Sequence, residues 1–291
     1  MKIAVFGNTS KEGVLETASR LFEELESREV QIVLHSELYN FLRKESFPLS
    51  EKITQINSSD DYIDADVAIS LGGDGTFINT VMRLGKIQIP MFGINLGHLG
   101  FLADVSVDEL PRVIEDLFNG DYHIAERTVL ETQLSEGKLK IHPYALNEVS
   151  IMKQDSSSML DINSKVNGAF LANYKADGII ISTPTGSTAY SMSVGGPIMV
   201  PEGNSLIIAP VAPHSLTIRP LVVRDSWDIE LDVNSRSHCY LIAIDGHSEI
   251  LDNRVKLTIR KADFVVKTIK FKGHSFFDTL REKLMWGVDG R

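Results

Sequence analysis

The residues best suited to chemistry in this sequence form one short glycine-rich run, Gly72-Gly73-Asp74-Gly75-Thr76. An apolar segment at 67–71 precedes the run and predicts a buried strand, and the apolar spacing over 77–82 predicts a helix after it. Glycines at such a turn let a ligand approach the backbone, and the partial positive charge of a helix start favours phosphate. The Lys-Ser/Thr pair of a P-loop is missing from the sequence. Two interpretations stay open: a phosphate-binding turn, or a tight turn in which Asp74 caps its own helix.

A second candidate site is a hydroxyl-rich stretch that follows a predicted strand. It runs from Asp177 to Ser193 and contains the block Ser182-Thr183-Pro184-Thr185-Gly186-Ser187-Thr188-Ala189-Tyr190; Val194-Gly195-Gly196-Pro197 comes next. This density of short hydroxyl side chains and glycine suits a polar ligand that is itself rich in hydroxyl groups. The alternative is a long turn whose side chains satisfy its own backbone.

Two shorter motifs also stand at the ends of predicted strands. Asn147-Glu148 places an amide beside a carboxylate, which suits two vicinal hydroxyls of a sugar or a hydrogen-bonded strand end. Asp245-Gly246-His247 is typical of a turn, with a ligand contact as the alternative. His98, between glycines, is either a ligand contact or a loop histidine in solvent. The sequence has no HExxH pattern, and its single cysteine excludes a zinc site made of cysteines. It also lacks the Gly-x-Ser-x-Gly motif that holds the nucleophile of many hydrolases.

Composition narrows the classes of function. The chain has 291 residues and a formal net charge of −10, which argues against non-specific binding to nucleic acid or to an anionic membrane. No apolar run in the sequence reaches the ~18 residues of a membrane span, and no signal-peptide pattern opens it. The single cysteine, Cys239, adjoins an apolar segment, which predicts a buried, inert thiol in a reducing, cytoplasmic compartment. Bound phosphate would need local neutralisation by backbone dipoles, a few Lys or Arg, or a divalent cation.

Residues 1–126 alternate between strand and helix patterns. The predicted strands are 2–7, 30–34, 67–71 and 91–94, and the predicted helices are 14–25, 37–44, 77–82 and 110–117. Thr9 and Glu12 have the spacing of a capping box before the first helix. The alternation predicts a doubly wound α/β domain whose ligands bind at the carboxyl ends of the strands. The run at 72–76 and a second glycine-rich loop at 95–101 both fall there.

Residues 127–269 change to short strand-like runs, which predict a β-sandwich-like domain. Strands are expected at 128–135, 139–141, 149–152, 160–166, 178–182, 206–209, 229–233, 240–244, 255–259 and 264–269. Glu136-Gly137-Lys138 predicts a hairpin between the first two. The tail at 270–291 turns helical, and we expect it to pack back on the first domain with one apolar face, formed by Phe276, Phe277, Leu280 and Leu284.

A phosphate-binding turn with a carboxylate suits a kinase that activates a hydroxyl, and the hydroxyl-rich and Asn-Glu loops suit a polyol or nucleoside acceptor. In these motifs and their order the chain resembles the bacterial ATP- or polyphosphate-dependent NAD kinases. The resemblance covers nearly the whole chain and is carried by residues 72–76, 93–101, 147–148, 177–190 and 193–197. The Gly-Gly-Asp-Gly element is also similar to that of phosphofructokinases and of diacylglycerol and sphingosine kinases, whereas the Ser-Thr-Pro-Thr-Gly-Ser-Thr-Ala-Tyr block is typical of NAD kinases.

The resemblance implies a role for each matching residue. Asp74 matches the catalytic aspartate, Gly75 its neighbour at the acceptor ribose, and Phe101 a residue that packs against adenine. Positions assigned to the phosphate donor are Gly72, Gly73, Gly75, Thr76 and Asn8. Positions assigned to the remainder of NAD are Asn147 and Glu148, which hold a ribose, and Lys175, Asp177, Thr188, Ala189, Tyr190, Ser191, Met192, Ser193, Ala212 and His247. Lys175 stands where many members of the family have arginine.

The implied reaction moves the γ-phosphoryl group of ATP, another nucleoside triphosphate or polyphosphate to the 2′-hydroxyl of the adenosine ribose of NAD. It implies a divalent cation, Mg²⁺ or Mn²⁺, whose ligands the sequence does not identify, and a homodimer or homotetramer. The choice between NAD and NADH as acceptor stays open. Two alternatives remain: a related kinase acting on a lipid or sugar, for which Arg219 and Arg224 would have to converge, and a non-catalytic NAD-binding sensor. Formation of NADP from ATP, magnesium and NAD separates all three.

Overall fold

The computed structural model describes residues 1–56, 63–97, 99–154 and 158–287. The chain divides into two compact units, one formed by Met1–Glu126 with Val266–Arg291 and the other by Arg127–Val265. The first division lies where the sequence pattern changes, at residue 127. The segment that returns to the first unit begins at Val266 rather than at residue 270. No helix within the described residues is long and apolar enough to cross a bilayer.

The helices and strands are numbered in chain order. They are β1 (Lys2–Gly7), α1 (Val14–Glu26), β2 (Gln31–His35), α2 (Ser36–Lys44), β3 (Thr54–Ile56), β4 (Val67–Gly72), α3 (Asp74–Leu84), β5 (Met91–Asn95), β6 (Val105–Ser106), α4 (Leu110–Asn119), β7 (Tyr122–Leu134), β8 (Tyr144–Ala145), β9 (Glu148–Met152), β10 (Leu160–Val166), β11 (Ala169–Ala176), β12 (Gly178–Ser182), α5 (Tyr190–Ser193), β13 (Ser205–Val211), β14 (Leu221–Arg224), β15 (Ile229–Asn234), β16 (Cys239–Ile244), β17 (His247–Asp252), β18 (Leu257–Phe271) and α6 (Phe276–Leu284).

The first unit is an α/β domain built on a parallel sheet, as the alternating pattern predicts. The order of its main strands is β5-β4-β1-β2-β3, all parallel. From β1 the chain proceeds outward to β2 and β3, and it then returns to the other side of β1 as β4. The carboxyl ends of β1 and β4 therefore flank a topological switch point, where open α/β sheets bind their ligands. Asn8 marks this point, because its N–H donates to the carbonyl oxygen of Leu71 at 3.0 Å.

In the first unit the sequence patterns predicted most helices and strands correctly, but they predicted the start of one helix wrongly. In α1 the apolar face is buried as expected, except that Leu15 is 37 % exposed while Thr17 is buried. The predicted capping box of Thr9 and Glu12 is wrong, because α1 begins at Val14 after a left-handed Gly13, with no side-chain cap. Helix α4, predicted over 110–117, ends at Gly120, which adopts a φ of 75°.

The second unit confirms the β-sandwich-like prediction. One sheet is antiparallel, with the order β14-β13-β12-β9-β16-β17. The other contains β11, β10, β15 and the first part of β18, also antiparallel. Inward-facing side chains from both sheets form one apolar core, for example Ile151, Ile181, Leu231 and Ile259.

Several strand predictions in the second unit are wrong in detail. The expected hairpin partner at 139–141 is not a strand, because the N–H groups of Lys140 and Ile141 donate to the Glu249 carboxylate. Strand β7 pairs instead with β8. The two strands expected at 255–259 and 264–269 are one continuous strand, β18. The sequence pattern also missed β11, β14 and β17, which place several large apolar side chains in solvent, including Phe170 at 64 % exposure.

Two side-chain predictions need correction. Cys239 is a free thiol that is only partly buried, and its Sγ lies 2.7 Å from Gln154 Oε1. The predicted buried thiol is therefore wrong. Helix α6 forms where expected, but Phe277 is 56 % exposed, whereas Thr279 and Leu280 are buried. The buried face of α6 therefore includes Thr279 and excludes Phe277, which differs from the face predicted from the apolar residues.

Candidate functional site

The carboxylate of Asp74 is bound by the backbone of a distant loop. Asp74 opens α3, yet it makes no capping bond to that helix. Its Oδ2 accepts a hydrogen bond from the N–H of Phe101 at 3.0 Å, and its Oδ1 accepts from the N–H groups of Leu102 and Ala103, each at 3.0 Å. The interpretation of Asp74 as a cap of its own helix is therefore wrong. The orientation of the carboxylate is therefore fixed by the backbone of residues 101–103, which lie outside the glycine turn.

The loop that binds Asp74 is itself tightly closed. The N–H of Gly100 donates to the carbonyl oxygen of Ala103 at 3.0 Å. Asn95, at the end of β5, accepts from the N–H of Gly97 at 2.7 Å and donates to the carbonyl oxygen of Ala103 at 3.3 Å. A Cβ at Gly100 would lie 1.9 Å from Asp74 Oδ1. Only glycine fits there, because the carboxylate occupies the space of a side chain. His98 lies outside the described residues.

The glycine turn combines one obligatory glycine with open backbone. Gly72 adopts a φ of 157°, and a Cβ there would lie 2.2 Å from Thr76 Oγ1. At Gly73 and Gly75 a Cβ would meet no atom of the described residues within 4 Å. The first N–H groups of α3 have no partner within the helix and carry the positive end of its dipole. This arrangement suits an anion such as phosphate.

Asn8 lies beside the glycine turn, at the end of β1. Its backbone N–H is bound to Leu71, the residue before Gly72, as noted above. Its side-chain Oδ1 accepts from the N–H and the hydroxyl of Ser10, at 3.0 and 2.6 Å. The side-chain oxygen is therefore used within its own turn, which leaves the amide NH₂ as the better group for an incoming anion.

Helix α6 adds a cation that the sequence analysis did not identify. Lys283 Nζ lies 3.5 Å from Asp74 Oδ2 and 4.9 Å from the centroid of the Phe101 ring. The ring of Phe276 packs on the same Phe101 ring, with centroids 6.0 Å apart. Residues 276 and 283 are two helical turns apart and share one face, so their spacing alone could have predicted that they contact the same region. Nothing local to Asp74 indicated that this face would reach it.

In the second unit, one turn residue organises Asn147 and Glu148. The Asp245 carboxylate accepts from the N–H groups of Leu146, Asn147 and Glu148, at 2.6, 2.9 and 3.0 Å. Asp245 and Gly246 adopt φ values of 45° and 86° between the paired residues Ile244 and His247. The predicted turn is confirmed, and it is the two-residue type that favours Asp-Gly. His247 is exposed just beyond it.

The hydroxyl-rich block serves two purposes. Its first part satisfies backbone: Thr183 Oγ1 donates to the carbonyl oxygen of Leu146 at 2.6 Å and accepts from the N–H of Gly186 at 3.0 Å. A Cβ at Gly186 would lie 2.1 Å from the carbonyl oxygen of Asn147, so the block packs directly on the Asn-Glu motif. For this part the turn interpretation holds.

The second part of the block is open. Tyr190 and Ser193 are exposed, Thr188, Ala189 and Met192 are partly buried, and Ser191 is buried. Among the described residues, Ser191 Oγ, Thr185 Oγ1 and Glu148 Oε2 are buried atoms with no hydrogen-bond partner. The exposed side chains of Tyr190 and Ser193 form the polar surface of this part, and the three unpaired oxygens lie beneath the surface.

Glu148 has an unusual charge state for a glutamate. Burial and the neighbouring Asp245 carboxylate raise the pKa of Glu148 to about 7, partly offset by a hydrogen bond from the backbone N–H of Tyr190. Near neutral pH the carboxyl group is therefore both donor and acceptor, which suits a pair of hydroxyls. The same bond brings Glu148 and Tyr190 together.

Three predicted residues lie at the other end of β12. The N–H of Asp177 donates to the carbonyl oxygen of Val211 at 3.0 Å, which puts Asp177 next to Ala212. Its carboxylate pairs with Lys153 at 2.7 Å, and Lys175 is exposed nearby on β11. Ser182, at the opposite end of the same strand, pairs with Glu148. The structure therefore does not bring Lys175, Asp177 and Ala212 together with Glu148.

Two expectations about charge can be examined directly. Arg219 donates to the carbonyl oxygens of Leu216 and Ile218, so its guanidinium serves its own turn. This use of Arg219 gives no support to an anion site shared with Arg224. Among the described residues, no three His, Cys, Asp or Glu side chains are grouped so that they would hold a metal ion.

Comparison with known proteins gives consistent matches. Residues 3–122 match the ATP-NAD kinase N-terminal domain, and residues 146–271 match the ATP-NAD kinase C-terminal domain. The chain is 50% identical to the NAD kinase of Bacteroides fragilis over 291 residues, which is 100% of both chains. It is 39% identical to the NAD kinase of Porphyromonas gingivalis over 287 residues, covering 99% of this chain and 98% of the relative.

Solved structures agree in fold. A yeast NADH kinase complexed with NADH superposes with a TM-score of 0.90 at 23% identity, covering 100% of this chain and 89% of the yeast chain. An NAD kinase from Archaeoglobus fulgidus in complex with ATP gives a TM-score of 0.74 at 25% identity, covering 98% of this chain and 99% of the other. The chain therefore belongs to the NAD kinase family, and it is an enzyme, a phosphotransferase.

Proposed function

We propose that this enzyme transfers the γ-phosphoryl group of ATP to the 2′-hydroxyl of the adenosine ribose of NAD, with Asp74 as the acceptor of the hydroxyl proton. The observation that carries the proposal is the Asp74 carboxylate at the start of α3, which is immobilised by the backbone N–H groups of residues 101–103. Relatives named NAD kinase and a neighbour crystallised with ATP support both substrates.

The donor side of the proposal uses the switch point between β1 and β4. The N-terminus of α3 and the unhindered backbone at Gly73 and Gly75 would hold the phosphates, with Gly72, Thr76 and Asn8 at the edges. Negative charge that develops on the transferring group would be stabilised by these fixed dipoles. Because the chain has a net charge of −10, the phosphates must be neutralised locally, and the backbone N–H groups of the turn can do so without a cationic side chain there.

The acceptor side uses Asn147, Glu148 and the open part of the hydroxyl-rich block. Glu148, half protonated near its pKa of about 7, would bind the two hydroxyls of a ribose as donor and acceptor. The exposed face of Tyr190 would cover the sugar or a base, and Phe101 would pack against adenine. The remaining residues of this set would shape the surface: Thr188, Ala189, Ser191, Met192, Ser193 and His247.

In the proposed step the 2′-O–H bond breaks as the new O–P bond forms, and the proton goes to Asp74. The bond from the γ-phosphorus to the bridging oxygen breaks, and ADP leaves with its electron pair. A carboxylate is a weak base for a ribose hydroxyl, but phosphoryl transfer proceeds through a loose transition state in which the proton moves late. Orientation of the hydroxyl by a rigid carboxylate is therefore the larger contribution.

The divalent cation is proposed as a companion of the donor. The described residues do not fit a metal cage made of protein ligands. The oxygens of Asp74 are already bound by three N–H groups and approached by Lys283. Mg²⁺ typically keeps several waters and binds substrate phosphates, so a metal carried in with ATP fits better than a resident one.

Three of the residues expected to bind NAD lie away from Glu148, namely Lys175, Asp177 and Ala212. They lie at the end of β12 opposite to Ser182, and Asp177 is about 16 Å from Ser182 along the strand. We infer that they contact the far end of NAD or the NAD of a neighbouring subunit, consistent with a homodimer or homotetramer. Size-exclusion chromatography with light scattering would test the oligomer.

Product formation tests the proposal as a whole. The enzyme incubated with ATP, Mg²⁺ and NAD is expected to form NADP, detected with an NADP-specific dehydrogenase. A panel with polyphosphate, other nucleoside triphosphates and NADH defines donor and acceptor. Asp74→Asn should keep the fold, at a cost of about 1–3 kcal/mol for the N–H group left without an acceptor, and lose most turnover, with NAD affinity less affected. Near-normal kcat in that variant would refute Asp74 as the proton acceptor, and NAD binding without any product would support a sensor.

A further inference from the structure

Helix α6 brings one lysine to the reacting centre proposed above. Lys283 Nζ lies 3.5 Å from Asp74 Oδ2, and the two side chains are 33 % and 29 % exposed. The ammonium group of Lys283 lies over the Phe101 ring, with Nζ 4.9 Å from the ring centroid. Phe276 contacts the same ring from the first turn of α6. The helix therefore rests on the Asp74-binding loop at both of its ends.

This ion pair is not needed to satisfy Asp74 or to stabilise the fold. Three N–H groups already bind the carboxylate. An ion pair with both partners about one-third exposed contributes little to stability, because water screens it. A cation at this position has more influence on charge that changes during a reaction than on the resting protein.

The proposed step changes the charge that Lys283 faces. Asp74 gains the proton of the acceptor hydroxyl and loses its negative charge. The same event places a phosphoryl group, with charge on its non-bridging oxygens, on the oxygen that held that proton. That oxygen must be within hydrogen-bond reach of Asp74, so the phosphoryl group arrives within a few ångströms of the lysine.

We propose that Lys283 is a catalytic residue of the transfer: it pairs with Asp74 in the free enzyme and binds a non-bridging oxygen of the transferring phosphoryl group. The inference rests on the proposed function. The step needs no further reactant, because the proton moves from the ribose hydroxyl to Asp74 and the lysine stays protonated. The ammonium group exchanges one anionic partner for another as the new O–P bond forms.

Three variants of one position separate this role from a structural one. Lys283→Met keeps an unbranched side chain of similar length and removes the positive charge, together with its contacts to Asp74 and to the Phe101 ring. We expect kcat to fall about 100-fold, in the range for loss of one charge-stabilising group, with KM for NAD and the melting temperature little changed. Lys283→Arg should retain at least about one-tenth of the wild-type kcat, since it restores a cation.

Chemical rescue gives a readout that packing does not affect. Lys283→Ala opens the space of the side chain, and added ethylammonium should raise its kcat in a saturable manner. Arg281→Met is the matched control, because Arg281 is an exposed cation on the same helix that pairs with Asp278. This control should keep wild-type kcat and show no response to ethylammonium.

Two results would overturn the role of Lys283. One is a kcat for Lys283→Met within about threefold of wild type. The other is a parallel loss of kcat, NAD affinity and melting temperature that neither Lys283→Arg nor ethylammonium repairs, which would make the lysine structural. Failure of the proposed function is distinct, since wild-type enzyme would then form no NADP, or Asp74→Asn would remain active.

Discussion

Two hydrogen bonds join Asp245 and Glu148: the N–H of Glu148 donates to the side-chain Oδ1 of Asp245 at 3.0 Å, and the N–H of Asp245 donates to the Glu148 carbonyl oxygen at 3.1 Å. The same carboxylate binds the two preceding N–H groups. Asp74 binds three consecutive N–H groups of the 101–103 loop in the same way. In both units an aspartate therefore sets the backbone of a site.

The first prediction concerns Asp245 as a positioning residue. Asparagine tolerates the left-handed φ of 45°, so Asp245→Asn should keep the turn. Its amide offers one acceptor oxygen in place of two, which leaves buried N–H groups of 146–148 unpaired. We expect a loss of about 1–3 kcal/mol of unfolding free energy and a roughly tenfold higher Kd for NAD. Denaturant titration and calorimetry measure the two effects.

Asp252→Asn is the control for that measurement, because Asp252 is an exposed residue that pairs with Arg254 at the end of β17. It should leave NAD binding unchanged. An Asp245→Asn variant with wild-type NAD affinity would show that the turn carboxylate does not position Asn147 and Glu148.

The second prediction follows from the charge state of Glu148. Burial and Asp245 raise its folded pKa from 4.5 to about 7, so the folded protein binds this proton more tightly than the unfolded chain does. The corresponding stabilisation is present below pH 4.5 and is lost as the pH rises through about 7. One pKa unit corresponds to about 1.4 kcal/mol, so the loss is on the order of 3 kcal/mol.

Glu148→Gln should flatten this part of the stability profile. The measurement is denaturant unfolding of the substrate-free protein at intervals from pH 4.5 to pH 8. The difference in unfolding free energy between wild type and variant gives the contribution of Glu148. Burial also raises the pKa of Asp245, with the same sign, and that contribution stays in both proteins. Glu136→Gln, at an exposed loop position, should keep the wild-type slope. Equal slopes for wild type and Glu148→Gln would disprove the raised pKa.

The third prediction uses the space around two glycines of one loop. A Cβ at Gly100 would lie 1.9 Å from Asp74 Oδ1, whereas the nearest atom to a Cβ at Gly97, among the residues that the structure describes, is Asn95 Oδ1 at 4.0 Å. Gly100→Ala must displace the carboxylate or its loop, and misplacement by about 1 Å costs about 100-fold in kcat. Gly97→Ala should keep activity within a few-fold. Steady-state kinetics would contradict the assignment if both variants behaved alike.

The fourth prediction concerns the metal. If the cation enters with the donor, EDTA should abolish NADP formation, and Mg²⁺ or Mn²⁺ should restore it. The melting temperature of the substrate-free enzyme should stay the same with and without EDTA, because an ion bound to the folded chain would stabilise it. A drop of several degrees on chelation would reveal a resident ion and would refute this account.

Local sequence determined the elements and the two motifs on which the site is built. Periodic apolar spacing specified α1 and α4, and glycine chemistry specified both the end of α4 at Gly120 and the turn at Gly72, where a Cβ would strike Thr76. These features depend on residues a few positions apart, which is the range over which helix period, capping and turn preferences act. The family itself was identified from the same short motifs.

Only the tertiary structure decided what the carboxylates do. Asp74 looks locally like a helix cap, yet its partners are 27–29 positions later and its cation lies in the final helix. Asp245 looks like a turn residue, yet it holds the backbone 97–99 positions earlier. Such pairings depend on which strand ends the sheets bring together, and no local rule reaches that far. The sequence therefore determined which groups were present, and the fold determined which of them meet.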